Sequence, residues 1–231
     1  MRCGSAGSFN GGRGRVYDGR ARAAGGGEMM RIEANEFAGV LEERAGGGLV
    51  VVAVAGAPNS GKSVFARRLA DGLGEGVHVV PMDGFHLSNE VLRERGLLER
   101  KGAPETFDAA GFAGLVERVR GGERVSYPVF DRDRDVVVED GGVIDGAARV
   151  VLFEGNYLLL KRSPWDVLVK FWDVSVWLDV GLVELERRSV ERWLVHGMTR
   201  GDAVVRARGV DMVNAALVIE NSHPADYVID N

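Results

Sequence analysis

The chain has 231 residues, of which 45% are hydrophobic, 27% charged and 7% aromatic. At about 150 residues per domain, this length favours one mid-sized domain with a sizeable core over two domains. Cys3 is the only cysteine, which excludes a disulfide framework and a cysteine-based zinc site. The net charge of -5 argues against a nucleic-acid partner, because such binding depends mostly on neutralising phosphates.

Neither a membrane span nor a signal peptide is indicated. No apolar run approaches the roughly 18 to 20 residues that cross a bilayer, and the N-terminus lacks the apolar segment of a signal peptide. The single cysteine fits a reducing compartment. We therefore expect a soluble cytoplasmic protein without a membrane partner. The sequence leaves the oligomeric state open, a homodimer included.

Residues 1–28 differ from the rest of the chain. They contain nine glycines and almost no apolar periodicity, so they bury too little surface to offset the entropy of ordering. We expect a disordered extension ahead of a domain that spans residues 29–231. Met29 and Met30 open the first stretch with apolar residues at helical spacing, and the three glycines at 46–48 end that helix.

Short β-branched runs then alternate with longer helical patterns. The fully apolar runs are residues 49–54, 77–80, 150–153, 174–178 and 227–229. Five such strands interleaved with helices predict an α/β fold with a five-stranded, mostly parallel sheet and helices on both faces. Two further runs, 126–130 and 136–138, predict a β-hairpin insertion that projects from this body.

A phosphate-binding motif follows the first predicted strand. It matches G-x-x-x-x-G-K-[ST] and reads Gly56-Ala57-Pro58-Asn59-Ser60-Gly61-Lys62-Ser63, with Val64 opening the next helix. In such a loop, glycines let backbone N–H groups face a polyphosphate, and the helix N-terminus adds its dipole. Lys62 would neutralise the β and γ oxygens, and the Ser63 hydroxyl would bind Mg²⁺. We predict a nucleotide site formed by residues 56–64.

The sequence indicates the base of the nucleotide less directly than the phosphate site. GTPases need a guanine-reading [NT]-K-x-D, and none of the four lysines (Lys62, Lys101, Lys161 and Lys170) lies in one. Adenine is therefore favoured, and the predicted cofactors are ATP and Mg²⁺. A glycine-rich turn with a solvated lysine is the alternative, which the strand–loop–helix context disfavours.

Two acidic residues follow predicted strands. Asp83 comes after a strand that we expect next to the P-loop strand, at the rim where open α/β sheets bind ligands. A carboxylate there can accept the proton of an attacking hydroxyl, and an Asp-Gly turn is the alternative. Glu154 follows the third strand as a Walker-B acid does and could hold Mg²⁺ directly or through water. The alternative is that Glu154 is merely a surface acid at the end of a strand.

Two arginines follow the fourth predicted strand. Arg188 and Arg192 are four residues apart and so share one face of a helix. Their guanidiniums could close over the transferring phosphoryl group, and a solvated helix face is the alternative. Gly197 would let such a lid hinge.

In this order, the motifs resemble the P-loop small-molecule kinases related to uridine kinase, bacterial pantothenate kinase and phosphoribulokinase, over roughly residues 49–230. Besides the P-loop, the matching segments are Asp83-Gly84-Phe85, Lys101-Gly102-Ala103-Pro104-Glu105-Thr106-Phe107-Asp108, Tyr127-Pro128-Val129-Phe130-Asp131, Phe153-Glu154-Gly155 and Pro224-Ala225-Asp226-Tyr227-Val228-Ile229. Arg192-Trp193 with His196-Gly197 is most similar to the bacterial branch labelled nucleoside/nucleotide kinase or fructose transport system kinase.

The resemblance implies a P-loop NTPase fold and a role for each matched residue. Those roles are catalytic base for Asp83, magnesium positions for Ser63 and Glu154, and lid arginines for Arg188 and Arg192.

The resemblance also implies an acceptor site. The hairpin around Phe130 would bind the acceptor, with His86 and Arg132 as further acceptor-binding candidates, and the loop before Asp226 would lie near the adenine. Uridine kinases carry Tyr where His86 and Phe130 stand and His where Asp135 stands. Pantothenate kinases have a His where Arg132 stands. These positions support neither uridine nor pantothenate as the acceptor.

Together these residues predict a kinase that transfers the γ-phosphoryl of Mg-ATP to a hydroxyl of a small molecule, such as a nucleoside, sugar or vitamin-like acceptor. A uridine or pantothenate kinase proper is one alternative. A nucleotide-binding regulator that hydrolyses ATP slowly to switch a partner is an alternative from another class. The combination of Asp83 with an acceptor hairpin favours the kinase, because a switch does not need both.

Overall fold

Eight strands and seven α-helices alternate along residues 29–132 and 134–231, which are the residues that the computed structural model describes. The strands are β1 (Met30–Arg31), β2 (Val50–Gly56), β3 (Val77–Pro81), β4 (Val125–Asp131), β5 (Val136–Ile144), β6 (Val150–Gly155), β7 (Val174–Asp179) and β8 (Tyr227–Asp230). The helices are α1 (Ala34–Ala45), α2 (Lys62–Leu73), α3 (Asn89–Glu94), α4 (Ala109–Arg120), α5 (Leu182–Val195), α6 (Arg200–Arg206) and α7 (Met212–Asn221). The predicted disordered extension, residues 1–28, lies outside the described residues.

Six parallel strands form the main sheet in the order β1-β8-β7-β2-β6-β3. The predicted P-loop NTPase fold is confirmed, and all five apolar strands belong to this sheet. The sixth strand, β1, was expected to open a helix. The amides of Met30 and Ile32 instead donate to the carbonyls of Asp226 and Val228, so this segment pairs with β8 and the helix begins at Ala34.

The strand order places β6 between β2 and β3. The expectation that the strand before Asp83 lies next to the P-loop strand is therefore wrong. All six residues of β6 are buried, whereas Val80 is the only buried residue of β3. Because interior strands of a parallel sheet are covered on both faces, β6 takes the inner position and β3 the edge. Glu154, in β6, consequently stands between the P-loop and Asp83.

The main sheet separates two hydrophobic cores. Val52 of β2 packs in one core with Phe37 of α1 and Phe65 of α2. Its neighbour Ala53 faces the other core, which contains Phe112 of α4. Successive residues of a strand point to opposite faces, so the fully apolar sequence of β2 follows from helices covering both faces. None of the described helices is long and apolar enough to cross a membrane.

The predicted β-hairpin insertion is formed by β4 and β5, which pair antiparallel with each other and with no other described strand. The Tyr127 hydroxyl donates to the carbonyl of Val79 at 3.2 Å. The backbone at Pro128 packs so closely on Gly84 that a Cβ at Gly84 would overlap the Pro128 oxygen. The hairpin is thereby seated at the end of β3, beside Asp83.

Replacing Gly84 by alanine is expected to displace this hairpin. Main-chain atoms of Pro128 cannot yield as a flexible side chain would, so we expect the free energy of unfolding to fall by about 1 to 3 kcal/mol. Gly114 in α4 is the control, because a Cβ there meets nothing within 4 Å and alanine stabilises a helix interior by roughly 0.5 to 1 kcal/mol. Urea unfolding of both variants measures the difference, and equal stabilities would contradict the contact.

Candidate active site

A cavity of about 710 Å³ opens where β2, β3 and β6 end. The sequence-predicted residues that line it are Pro58, Asn59, Gly61, Lys62, Ser63, Val64, Asp83, His86, Phe130, Arg132, Glu154, Arg188 and Arg192. Gly56, Ala57 and Ser60 are buried and do not line it. The candidates for nucleotide, metal and acceptor binding therefore converge on one cavity.

The phosphate-binding loop ends at Gly61, directly before α2. Gly61 has φ of +91°, a conformation that side chains rarely adopt, and a Cβ there would lie 2.5 Å from Asn231 Nδ2. The same Nδ2 donates to the carbonyl of Ser60 at 2.6 Å. Helix α2 begins without a side-chain cap. Its first backbone N–H groups are therefore available to an anion, as at other phosphate-binding helix termini.

Lys62 lies within the loop and is 7% exposed. Its Nζ donates to the carbonyl of Ala57 at 2.7 Å and to Ser60 Oγ at 3.4 Å. Burial lowers the pKa of Lys62 to about 8, against the opposing effect of Glu154 and Asp83. The protonated ammonium is thus held at an energetic cost that a bound polyphosphate would offset.

Glu154 and Ser63 form a hydrogen-bonded pair. The Ser63 hydroxyl donates to Glu154 Oε1 at 2.7 Å, and Glu154 is 5% exposed. The alternative of a surface acid at this position is therefore wrong. Burial raises the pKa of Glu154, and the carboxylate of Asp83 raises it further. Hydroxyl and carboxylate oxygens are the hard ligands that Mg²⁺ prefers, so this pair fits a magnesium position beside the phosphate loop.

Asp83 lies in a short 3₁₀-helix, Met82–Phe85, that follows β3. Its Oδ2 accepts a hydrogen bond from Nη2 of Arg132, on the hairpin, at 2.5 Å. Within the described part of the chain, the carboxylate makes no hydrogen bond to its own turn, unlike that of Asp145, which accepts from the amide of Ala147 at 3.0 Å. This difference separates Asp83 from an ordinary Asp-Gly turn residue.

His86 is stacked between two aromatic rings. Its ring centre lies 4.0 Å from that of Phe107 and 4.8 Å from that of Phe130. Burial lowers the pKa of His86, which favours the neutral ring. Because Nδ1 faces the carbonyl oxygen of Asp83 at 2.8 Å, this contact assigns the proton to Nδ1 and leaves Nε2 as a hydrogen-bond acceptor.

The two predicted lid arginines lie on α5 and have different partners. Nη1 of Arg192 donates to Oδ1 of Asn59, in the P-loop, at 3.3 Å. Nε of Arg188 donates to Glu184 Oε1 at 2.7 Å, and its Nη2 donates to the carbonyl of Asn231 at 3.3 Å. Arg192 is thus joined to the phosphate loop, whereas Arg188 is tied to its own helix and to the end of β8.

The expectation that the loop before Asp226 lies near the adenine is wrong. Asp226 precedes β8, and its Oδ2 accepts from the amide of Ser175 at 2.8 Å, near the start of β7. Parallel pairing puts this loop at the amino ends of the strands, opposite the P-loop. Asn231, after the carboxyl end of β8, contacts the P-loop instead. A second cavity of about 520 Å³ runs from Gly61 past Asn231 to α1.

Other residues that line the main cavity were not predicted as site residues from the sequence. Among them are Asn89, Lys101, Trp193, Arg206, Asp211 and Asn214. Lys101 offered a signal, because it stands in a matched motif and is one of only four lysines. Arg206 offered no such signal, because the chain is rich in arginine. The π-helical turn Ala207–Asp211, a feature that often marks functional sites, became visible only in the structure.

Comparisons with known proteins agree with this geometry. No profile of a known protein family matches the chain. A Schizosaccharomyces pombe protein named "putative uridine kinase" is 35% identical over 193 residues, which cover 78% of this chain and 82% of that protein. A pantothenate kinase from Streptococcus pneumoniae is 29% identical over 150 residues, covering 62% of this chain and 49% of that enzyme.

A solved structure gives the same result. The crystal structure of a "putative fructose transport system kinase" from Silicibacter sp. TM1040 is 43% identical and superimposes with a TM-score of 0.81, covering 85% of this chain and 98% of that one. Fold, motif order and relatives therefore agree. The chain belongs to the P-loop small-molecule kinases related to uridine kinase and pantothenate kinase.

Proposed function

We propose that this protein transfers the γ-phosphoryl group of Mg-ATP to a hydroxyl of a small molecule. The observation that carries the proposal is the placement of Lys62, Glu154 and Asp83 at one rim of the sheet. The three groups are close enough that Glu154 and Asp83 both raise the pKa of Lys62 against the effect of burial. A phosphate-binding cation, a metal-binding acid and a second acid that can accept a proton are the groups that phosphoryl transfer to a hydroxyl needs.

The nucleotide end of the site is formed by the P-loop. The backbone N–H groups at the start of α2 and the Lys62 ammonium bind the β and γ phosphates. Ser63 and Glu154 would hold Mg²⁺, which would supply positive charge against the negative charge that develops during transfer. Arg192, joined to Asn59 of the loop, adds a donor to the transferring phosphoryl group.

The acceptor end is formed by the hairpin and the 3₁₀-helix. Asp83 accepts the proton of the acceptor hydroxyl, and Arg132 orients the Asp83 carboxylate from the hairpin. His86, held between Phe107 and Phe130, offers Nε2 to an O–H or N–H of the acceptor. The stacked rings give the acceptor a flat apolar wall.

The proposal is tested by a coupled assay of ADP release from Mg-ATP. The panel contains nucleosides, sugars, phosphorylated sugars, hydroxy acids, and pantothenate with related vitamins, each added to the full-length protein. We expect at least one compound to raise ADP release well above the rate with water alone. An ATPase rate that no metabolite changes would favour the regulatory switch and contradict the kinase. Turnover of uridine or pantothenate alone would identify one of the two named kinases.

A separate prediction concerns the proposed metal position. Glu154→Gln keeps an oxygen for the Ser63 hydroxyl but removes the negative charge, so we expect the Mg²⁺ concentration for half-maximal activity to rise about 10- to 100-fold. Glu117→Gln, an exposed position in α4, is the control and should leave the Mg²⁺ requirement unchanged. A magnesium titration of ADP release measures both variants. An unchanged requirement in Glu154→Gln would remove this residue from the metal site.

A further inference from the structure

Arg206, the last residue of α6, is held rigidly at the cavity wall. Its Nη1 donates to the carbonyl of Glu99 at 2.9 Å, and its Nη2 donates to the carbonyl of Lys101 at 3.5 Å. Its guanidinium carbon lies 5.2 Å from the ring centre of Trp193. A guanidinium has five N–H donors, so these contacts fix the side chain and leave donors for a ligand.

Arg192 lies beside the same indole, and in the described part of the chain neither arginine forms an ion pair with a carboxylate. The guanidinium carbon of Arg192 is 5.4 Å from the ring centre of Trp193, and Arg192 donates to the neutral amide of Asn59. Among residues 29–132 and 134–231, no carboxylate oxygen lies within 4.0 Å of either guanidinium. The buried carboxylate of Asp211 is engaged by Trp193 Nε1, at 2.6 Å.

Arg192 also interacts with two other cations. Burial lowers the pKa of Arg192, and Arg132 and Arg206 lower it further, while the carboxylates of Asp211 and Asp83 raise it. The cluster of Arg132, Arg192 and Arg206 thus exposes Arg192 to like-charge repulsion in a partly buried space, which the two acids offset in part. An anion bound among the arginines would reduce this repulsion, and on the P-loop side the phosphates of ATP would be such an anion.

Arg206 belongs to the acceptor side of this cluster. It is tied to the backbone of Lys101, whose side chain borders the acceptor rings with Nζ 5.1 Å from the centre of Phe130. The Lys101 ammonium donates to Asn89 and to Asp135, both at 2.8 Å, which uses two of its three N–H groups. The cavity wall next to His86, Phe107 and Phe130 thus carries two cations, Arg206 and Lys101. Both are held in place and still have N–H groups that can bind a ligand.

We propose that the acceptor carries an anionic group, a carboxylate or a phosphate monoester, that Arg206 binds with help from Lys101 while the acceptor hydroxyl faces Asp83. This inference rests on the proposed kinase function and names its substrate class. The acceptor is a small hydroxy acid or a phosphorylated sugar rather than a neutral nucleoside or sugar. A guanidinium suits either anion, because its paired N–H groups match two oxygens of a carboxylate or phosphate.

The anion site is tested without turnover. Full-length protein is saturated with Mg-AMP-PNP, which fills the P-loop, and is then titrated with inorganic phosphate or with acetate by calorimetry at constant ionic strength. We expect saturable binding of at least one of the two anions, and the stronger one identifies phosphate or carboxylate as the group. Arg206→Gln should weaken that binding about tenfold or more while keeping the Mg-AMP-PNP affinity. Arg208→Gln, an exposed residue paired with Glu186, is the control and should bind as the wild type does.

Three results of this titration would overturn the proposal. They are an absence of saturable phosphate and acetate binding by the wild type, equal anion affinity in the wild type and Arg206→Gln, and a loss of Mg-AMP-PNP affinity in Arg206→Gln with anion binding intact. The last result would assign Arg206 to the nucleotide.

Matched acceptors separate this proposal from the kinase function. ADP release is compared for glycerol and glycerate, and for ribose and ribose 5-phosphate, in the wild type and Arg206→Gln. We expect turnover only of anionic members, with a raised KM for them in Arg206→Gln. Turnover only of neutral members would overturn the anionic acceptor while supporting the kinase. Arg206-dependent anion binding without ADP release from any compound of either panel would support the anion site and count against the kinase.

Discussion

Lys62→Met is expected to lower kcat by about 10² to 10³ without unfolding the protein. In the proposed mechanism the Lys62 ammonium meets the charge that spreads over the γ-phosphoryl in the transition state, and the loss of one preorganised donor of this kind costs that factor. ADP release measures the rate, and circular dichroism measures the fold. Lys161→Met, at an exposed position, is the control and should keep its rate. Wild-type turnover in Lys62→Met would remove the P-loop lysine from the mechanism.

The same substitution is expected to stabilise the ligand-free protein at pH 7. Burial lowers the pKa of Lys62 from 10.5 to about 8, so between these values the folded state binds fewer protons than the unfolded state. The contribution of Lys62 to wild-type stability therefore rises with pH through this window, and below pH 8 the full cost of the buried charge remains, about 3 kcal/mol. Methionine has no charge to bury. We expect a higher Tm for Lys62→Met at pH 7, by roughly 2 to 4 °C per kcal/mol.

The pH dependence of the Tm checks the cause. The advantage of Lys62→Met should shrink as the pH rises from 8 toward 10, because the wild-type lysine then loses its proton in the folded state and no longer buries a charge. Lys161→Met should show no such convergence. A lower Tm for Lys62→Met at pH 7 would mean that the hydrogen bonds from Nζ to Ala57 and Ser60 outweigh the cost of burial.

Asp83→Asn is expected to lower acceptor-dependent ADP release by about 10² to 10⁴, the usual loss when a general base is removed. The amide oxygen of Asn can still accept the hydrogen bond from Arg132, so the side chain keeps its place but loses its basicity. Mg-ATP affinity, measured by calorimetry, should stay near wild type because the P-loop and Lys62 hold the nucleotide in the proposed site.

A second Asp-Gly pair provides the matched control for this variant. Asp145 is a turn residue whose carboxylate accepts from the amide of Ala147, so Asp145→Asn should leave activity unchanged. An equally small effect of Asp83→Asn would make Asp83 a turn residue too. A joint fall of Mg²⁺ affinity and rate would instead assign Asp83 to the metal, and its role as base would then be withdrawn.

Local motifs predicted much of the candidate site, because its chemistry is encoded in short contiguous segments. The P-loop needs a fixed spacing of glycines, lysine and serine, and Asp83 and Glu154 each follow an apolar run that ends at the rim of the sheet. Strand order was harder to predict from the sequence. The position of β6 depends on how completely its residues can be buried among helices that are distant in the sequence. The two-residue strand β1 depends on hydrogen bonds to β8, almost 200 residues later.

The position of Arg206 in the cavity wall could not be predicted for the same reason. Arg206 is one of many arginines on polar helical faces, and nothing beside it in the sequence distinguishes it from the others. Its position becomes specific only when α6 carries it to the carbonyls of Glu99 and Lys101. Such contacts between segments a hundred residues apart are set by tertiary packing and have no local pattern to read.

The self-contained pairing of β4 and β5 has an evolutionary consequence. Because the backbones of these strands pair with each other and with no other described strand, the hairpin can change in sequence or length without breaking a ladder of the main sheet. Phe130 and Arg132, which it carries, can therefore diverge while the P-loop and Glu154 stay constant. Under the proposed function, a graft of this hairpin between related kinases, with the glycine at 84 retained as its seat, is expected to exchange acceptor preference and leave the proposed ATP site intact.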